Sequence, residues 1–298
     1  MVVAVLAASE MVVRHLEQSL SLDLKHLRSL PAMAQRLKTE PSPRILLVGN
    51  SLTRAGVNLP QFQAGLKQQL GHAPGLETAY PDASDITLWL YLLQHHFINS
   101  GSKPDVVVLG FGEKHLQDNR LDRAVALGAF YTGIEDAPEV FRHEVRGFDQ
   151  RVEFLLAKGF AAFANRARLA PRVLDLLIPH YREGLEHMQA VRELRAYYAE
   201  PPTAPTYGRL ERLIQLTESS RIPLVLVALP IARDYDLPAA FQKLLADHHV
   251  KLLDCRKVPG LTPESFPDGL HMDTKASELF TAELLRRLAD VPELKPGH

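Results

Sequence analysis

The sequence predicts a three-layer α/β/α domain built on roughly five parallel strands, and three observations carry that prediction. Short apolar runs such as Ile45–Val48 recur along the chain, the signature of strands covered on both faces. Between them lie stretches with apolar residues at helical spacing. The chain has 298 residues, 46% of them hydrophobic, which is enough for one large α/β domain or two small ones.

The elements follow in order. Met1 to Leu37 reads as helical, with Leu16, Leu20, Leu24, Leu27 and Leu30 at helical spacing. Pro41, Ser42 and Pro43 break that pattern, so the core domain is expected to begin near Arg44. Ile45–Val48 is the first strand, Gln61–Leu70 a helix behind Pro60, and Leu76–Tyr80 the second strand. Asp85–Phe97 is a helix with Ile86, Trp89, Leu90 and Leu93 on one face. Asp105–Leu109, Pro223–Leu229 and Val250–Asp254 complete the strands, and Thr274–Leu288 is the closing helix. Strands alternating with helices imply a parallel sheet, whose ligands sit beyond the carboxyl ends of the strands.

Between Lys114 and Pro205 the strand pattern disappears, and breaks are expected near Gly133, Pro138, Gly147, Pro171 and Pro179. One crossover helix would suffice there. The excess reads as a helical insertion, either a substrate-shaping cap or added scaffold, closed by a proline-rich linker over 200–205. The expected organisation is an N-terminal helical segment over 1–40, a domain over 41–290 holding the insertion at 114–205, and a tail over 291–298. Met1–Ala8 is wholly apolar, but even extended to Val13 it is too short to span a bilayer. It lacks the basic leader of a signal peptide. Two readings stand: the end of a membrane anchor whose start is lost or misassigned, or an amphipathic first helix packed on the body.

Two short segments carry the chemistry. Ile45–Val48 leads into Gly49-Asn50-Ser51-Leu52, and Asp268-Gly269-Leu270-His271 stands just before the closing helix. Together they supply a hydroxyl, an imidazole and a carboxylate. Serine is a poor nucleophile at neutral pH unless a histidine takes its proton and a carboxylate holds that histidine in the right tautomer. Each residue also has a plainer role, Ser51 and Asn50 as a helix cap and Asp268 as a turn residue before Gly269. Those roles explain the residues singly but not their combination.

This pairing resembles the SGNH/GDSL hydrolase superfamily, and in particular its divergent bacterial members associated with polysaccharide O-acylation. The resemblance covers roughly Arg44 to Phe111 and Pro223 to Leu288. It implies a flavodoxin-like α/β/α fold, Ser51 as nucleophile, His271 as base and Asp268 as its orienting acid. It implies a serine-dependent acyl-ester hydrolase acting on an O-acylated small molecule or carbohydrate, with two alternatives. One is an O-acyltransferase working with a membrane-bound O-acylation partner, and the other is a glycan- or partner-binding protein on the same fold. It also implies an extracytoplasmic location with an N-terminal anchor.

The family's oxyanion donors are the nucleophile's own N–H, a glycine N–H after the second strand and an asparagine side chain after the third. Here Pro81-Asp82-Ala83-Ser84-Asp85 has no glycine, so Ala83 or Ser84 must stand in. Gly110-Phe111-Gly112-Glu113 has Gly112 where the family has asparagine, and Lys114 or His115 is left to reach in. Asn50 beside the nucleophile and Arg54 one turn on are substrate-side candidates, although Arg54 also suits a surface pair with a carboxylate.

Composition narrows the rest. A net charge of -1, from 34 basic and 35 acidic residues, gives no footprint for nucleic acid. Among the 13 histidines, the adjacent pairs His95-His96 and His248-His249 point in different directions on a helix, so no metal site is expected. The single cysteine, Cys255, permits no internal disulfide and reads as a small buried apolar residue. No cofactor is needed, because proton transfer alone generates the nucleophile.

Overall fold

A computed structural model describes residues 2–118, 122–198 and 204–295. It divides into two compact units: Met1–Ser29 with Arg120–Thr203, and Leu30–Asn119 with Ala204–His298.

The second unit holds the sheet. Its five strands are β1 Arg44–Val48, β2 Gly75–Ala79, β3 Val106–Phe111, β4 Leu224–Ala228 and β5 Lys251–Asp254. All pair in parallel, in the order β2-β1-β3-β4-β5. The observed strands lie within one or two residues of the expected ones. β1, β3 and β4 run through the centre, and Ile45, Leu46, Val106, Val108 and Leu226 are fully buried, which is why their sequences are continuous apolar runs. The chain moves from β1 outward to β2, then back past β1 to β3. The carboxyl ends of β1 and β3 therefore flank the point where the winding reverses, the place where such sheets bind ligands.

Helices cover the sheet in two groups. Leu59–Leu70 and the closing helix Thr274–Leu288 pack together. A Cβ on Gly65 would lie 2.3 Å from Leu285 Cδ1, so the Leu285 side chain packs directly onto the helix at Gly65, in space a larger residue would fill. Gln69 Nε2 donates to the Leu285 carbonyl (2.8 Å) across the same contact. The other group is Ile86–Leu92, which passes into a wider turn over Leu93–Ile98, and Gly208–Ser220. Arg212 Nη2 joins them by donating to the Tyr91 hydroxyl (3.2 Å). Gly208–Ser220 is the crossover helix into β4, and Asp118 ties its start to the end of the β3 loop. The Asp118 carboxylate accepts from the N–H groups of Gly208 (2.7 Å) and Arg209 (3.0 Å) and from the Thr206 hydroxyl (2.8 Å). Cys255, just past β5, is fully buried, and burial pushes its thiol up to about 12.

The first unit is helical. It begins with Val2–Leu16 and continues through Phe148–Gly159, Ala161–Ala164, Arg166–Asp175 and Tyr181–Tyr198. The N-terminal stretch and the insertion, separate in the sequence reading, fall in this one unit. Polar contacts show how. The Glu10 carboxylate accepts from the N–H groups of Ala161 (2.8 Å) and Ala162 (2.9 Å). Buried Glu17 accepts from Arg28 and from Asn165 Nδ2 (2.8 Å). The helix Leu22–Thr39 begins in this unit and, from Leu30 on, belongs to the other. One expected break is corrected: Pro171 lies inside Arg166–Asp175. Near Pro138 the helical pattern does break, over residues 132–136, and Pro138 sits in the first turn of Ala137–His143, where its missing N–H costs nothing. The linker expected over 200–205 lies partly outside the described residues. Among the described residues, no helix is long and apolar enough to cross a membrane.

Candidate active site

The site is built where β1 ends. Gly49 leads into a six-residue helix, Ser51–Gly56, that seats itself against the sheet through Thr53. A Cβ on Gly49 would meet Thr53 Oγ1 at 2.0 Å and one on Gly110 would meet it at 2.6 Å. The Thr53 hydroxyl donates to the Gly110 carbonyl (3.2 Å). The two glycines therefore let the helix settle against the ends of β1 and β3. Asn50 caps it, its Oδ1 accepting from the Leu52 N–H (3.0 Å). Ser51, the first residue of the helix, is left part-exposed at the carboxyl edge of the sheet.

The other segment arrives from 220 residues away. His271 Nε2 lies 2.9 Å from Ser51 Oγ. His271 Nδ1 lies 2.6 Å from Asp268 Oδ2. An ionised carboxylate can only accept, so Nδ1 carries the ring proton and Nε2 presents its lone pair to the serine hydroxyl. Asp268 is held by its own turn: Oδ1 accepts from the N–H groups of Leu270 (2.9 Å) and His271 (2.7 Å). Gly269, at φ 79°, makes the turn possible. Desolvation pushes the Asp268 carboxyl upward, but the His271 N–H, the imidazole and the Leu270 N–H outweigh it and hold the group below the usual carboxylate range. Just beyond, Asp273 caps Thr274–Leu288 by accepting from the Ala276 N–H (2.7 Å).

The acceptor side differs from expectation in its details. Ala83 sits after β2 at φ 52°, the left-handed region that glycine adopts freely and alanine does not. The backbone thus keeps a glycine-like turn despite the Cβ. Ser84 is turned inward and buried. Its N–H approaches the Pro81 carbonyl (3.4 Å), and its hydroxyl reaches the carbonyls of Pro81 (2.7 Å) and Gly49 (3.1 Å). The Ser84 donors are directed at the protein itself. The same holds for Gly112, whose N–H donates to His115 Nδ1 (3.0 Å). Asn50 Nδ2 donates to the Ser84 carbonyl (3.0 Å) and lies 3.1 Å from His115 Nε2. Arg54 pairs with Asp82 (2.8 Å), the plainer of its two readings, and links the loops after β1 and β2. Glu113 pairs with Arg233 (3.1 Å).

Trp89 was legible only as a core residue, yet its indole N–H reaches the Gly49 carbonyl (2.9 Å) and the Ser84 hydroxyl (2.8 Å). It supports the strand end that carries the nucleophile. No sequence signal separates it from an ordinary buried tryptophan on a helix face.

Fold and site together define a doubly wound parallel α/β/α protein with a serine–histidine–aspartate line at its switch point, and in both respects the chain resembles the SGNH/GDSL hydrolases. No family model and no curated protein matches the sequence. Among solved structures, the chain is similar to an acetylxylan esterase from Geobacillus stearothermophilus, at 11% identity and a TM-score of 0.42 over 88% of this chain and 100% of that one. It is similar to a lipase from a goat rumen metagenome, at 13% identity and a TM-score of 0.39 over 84% and 99%. A GDSL-like lipase from Bacteroides thetaiotaomicron stands at 14% and 0.36 over 82% and 86%.

Proposed function

We propose that this chain is a serine-dependent acyl-ester hydrolase working through Ser51, His271 and Asp268. The observation that carries the reading is the unbroken hydrogen-bond line from Asp268 through His271 to Ser51, at 2.6 and 2.9 Å. Ser51 Oγ attacks the ester carbonyl carbon while His271 Nε2 takes the hydroxyl proton. The tetrahedral intermediate collapses, the alcohol leaves with that proton, and Ser51 is acylated. Water, deprotonated by the same nitrogen, then attacks the acyl carbon and releases the acid. Asp268 keeps Nδ1 protonated and steadies the imidazolium that forms. The N–H groups of Ser51 and Ala83 are the backbone donors we assign to the oxyanion.

An O-acylated carbohydrate is the substrate class we attach to this reading, supported by the sequence resemblance. A sugar hydroxyl in place of water would make the same chemistry a transfer. The exposure of the base side favours water: the Asp268 side chain is 57% exposed and that of His271 35%. The extracytoplasmic, anchored setting is likewise proposed, on Met1–Ala8 and the resemblance.

Intact-mass analysis after incubation with a fluorophosphonate tests the reading. The native chain should gain one adduct that Ser51→Ala loses. Turnover of 4-nitrophenyl acetate should fall on the order of 10⁴-fold or more in the same variant. A native chain that stays unlabelled and inactive would return the fold to the binding-protein alternative.

A further inference from the structure

The hydrogen bonds of the turn that carries the base fix its shape but not its place. The Asp268 carboxylate holds the N–H groups of Leu270 and His271. The Gly269 N–H donates to the Phe266 carbonyl (2.8 Å) and the Asp273 N–H to the Ser265 carbonyl (2.9 Å). These bonds stay within residues 265–273. Ser51 belongs to another part of the chain, 220 residues from His271. A misplacement of about 1 Å between reacting groups can cost on the order of 10²-fold in rate, so nucleophile and base need a tie from outside the turn.

The side chain next to the base supplies it. His271 is part-exposed, whereas Met272 is buried. Met272 packs on the far end of the helix Ser51–Gly56. A Cβ on Gly56 would lie 3.1 Å from Met272 Cε and 3.5 Å from its Sδ, in space a larger residue would fill. The fully buried Phe280 ring borders the same spot at 3.5 Å. Thr281 fastens this helix end to the closing helix: its hydroxyl accepts from the Asn58 N–H (2.8 Å) and lies 3.5 Å from the Gly56 carbonyl. The nucleophile's helix is six residues long and begins at Ser51. A contact at Gly56 is therefore passed to the serine through one short rigid element.

We propose that Met272 is the positioning residue of this site: seated on Gly56, its thioether sets the distance between His271 Nε2 and Ser51 Oγ. It acts through the imidazole and not on the substrate. The inference rests on the serine-hydrolase reading.

With 4-nitrophenyl acetate, Met272→Ala is expected to lose about 10²-fold in kcat at nearly unchanged KM. Met272→Leu, a volume-conserving change, should recover at least roughly tenfold of that loss. The deciding measurement repeats Met272→Ala in a His271→Ala background. A residue that acts only through the base has nothing left to position there, so the residual rate should change by less than about twofold. Met272→Val removes less volume and gives the same comparison with less risk to folding. The proposal is overturned if the alanine and valine variants both keep kcat within about threefold, or if the factor lost is the same in both backgrounds, as a general loosening of the site would make it. A native chain that gains no Ser51-dependent fluorophosphonate adduct is a different result, the failure of the hydrolase reading itself.

Discussion

The two sides of Ser51 are made differently. On the base side, Asp268 and His271 lie three residues apart, and their turn is closed by hydrogen bonds between neighbours. The Asp268 side chain is largely open to solvent and that of His271 partly so. On the acceptor side, Asn50, Ser84, Trp89 and His115 come from four separate places in the chain, and the first three are almost wholly buried. The base side is a local device placed on a finished fold. The acceptor side is part of the core, so its chemistry and the stability of the sheet edge share the same atoms. The difference teaches where mutation should move activity alone and where it should move activity and stability together.

The largest effect after loss of the nucleophile is expected from Asp268→Asn. The amide oxygen can still accept from the N–H groups of Leu270 and His271, so the turn survives. Its NH₂ then faces His271 Nδ1 and draws the ring into the opposite tautomer, with a proton on Nε2 where the serine needs a lone pair. We expect kcat for 4-nitrophenyl acetate to fall about 10³- to 10⁴-fold, with Tm within a degree or two of the native value. The native carboxyl is held below its usual range, so it is ionised throughout neutral and mildly acidic pH. Its favourable contacts are complete above the unfolded-state value and are lost only as pH falls through the lower folded value. The acid limb of the native rate profile should therefore lie above the titration of Asp268. A variant that loses Tm as heavily as kcat would break the distinction between the two sides.

Trp89→Phe probes the buried side. It keeps the ring in the core and removes the N–H that serves the Gly49 carbonyl and the Ser84 hydroxyl. Leaving buried acceptors short of a donor costs about 1–3 kcal/mol, on the order of several degrees in Tm for a unit of this size. The rate should fall by a smaller factor than in Asp268→Asn, roughly tenfold, because the strand end carrying Asn50 and Ser51 loosens. Thermal denaturation and steady-state kinetics on one preparation give both numbers. Unchanged Tm with a large loss of kcat would make Trp89 part of the chemistry and not of its support.

The same contrast governs what the sequence reveals. β1, β3 and β4 are legible because both of their faces are buried, which leaves only apolar residues to read. Ser51, Asp268 and His271 are legible because each is embedded in a short pattern whose hydrogen bonds span two or three residues. Asn50–Ser84 and Asn50–His115 join positions 34 and 65 residues apart, and no local pattern announces them. Ser84 and Gly112 are read as oxyanion candidates from position alone, and only the fold shows their N–H groups directed at Pro81 and His115. Pro171 misleads because a proline disfavours a helix interior on average, yet Arg166–Asp175 runs through it.

Ala83 offers the finest test, since it belongs to the acceptor side but carries its strain in the backbone. At φ 52° an alanine Cβ crowds its neighbouring carbonyl, at a cost of roughly 1–2 kcal/mol. Glycine removes that cost but gives the unfolded chain more freedom, which returns about 0.4–1 kcal/mol. Ala83→Gly should therefore raise Tm by no more than a few degrees. If the residue-83 N–H meets the oxyanion, kcat should stay within about twofold, because the glycine N–H occupies the same place with the same turn. Ala83→Val, whose branched Cβ resists the left-handed region, should lose both Tm and kcat. The informative result is the pair. Should valine lower Tm while leaving kcat intact, the turn after β2 would be structural only, and the oxyanion would rest on the Ser51 N–H without it.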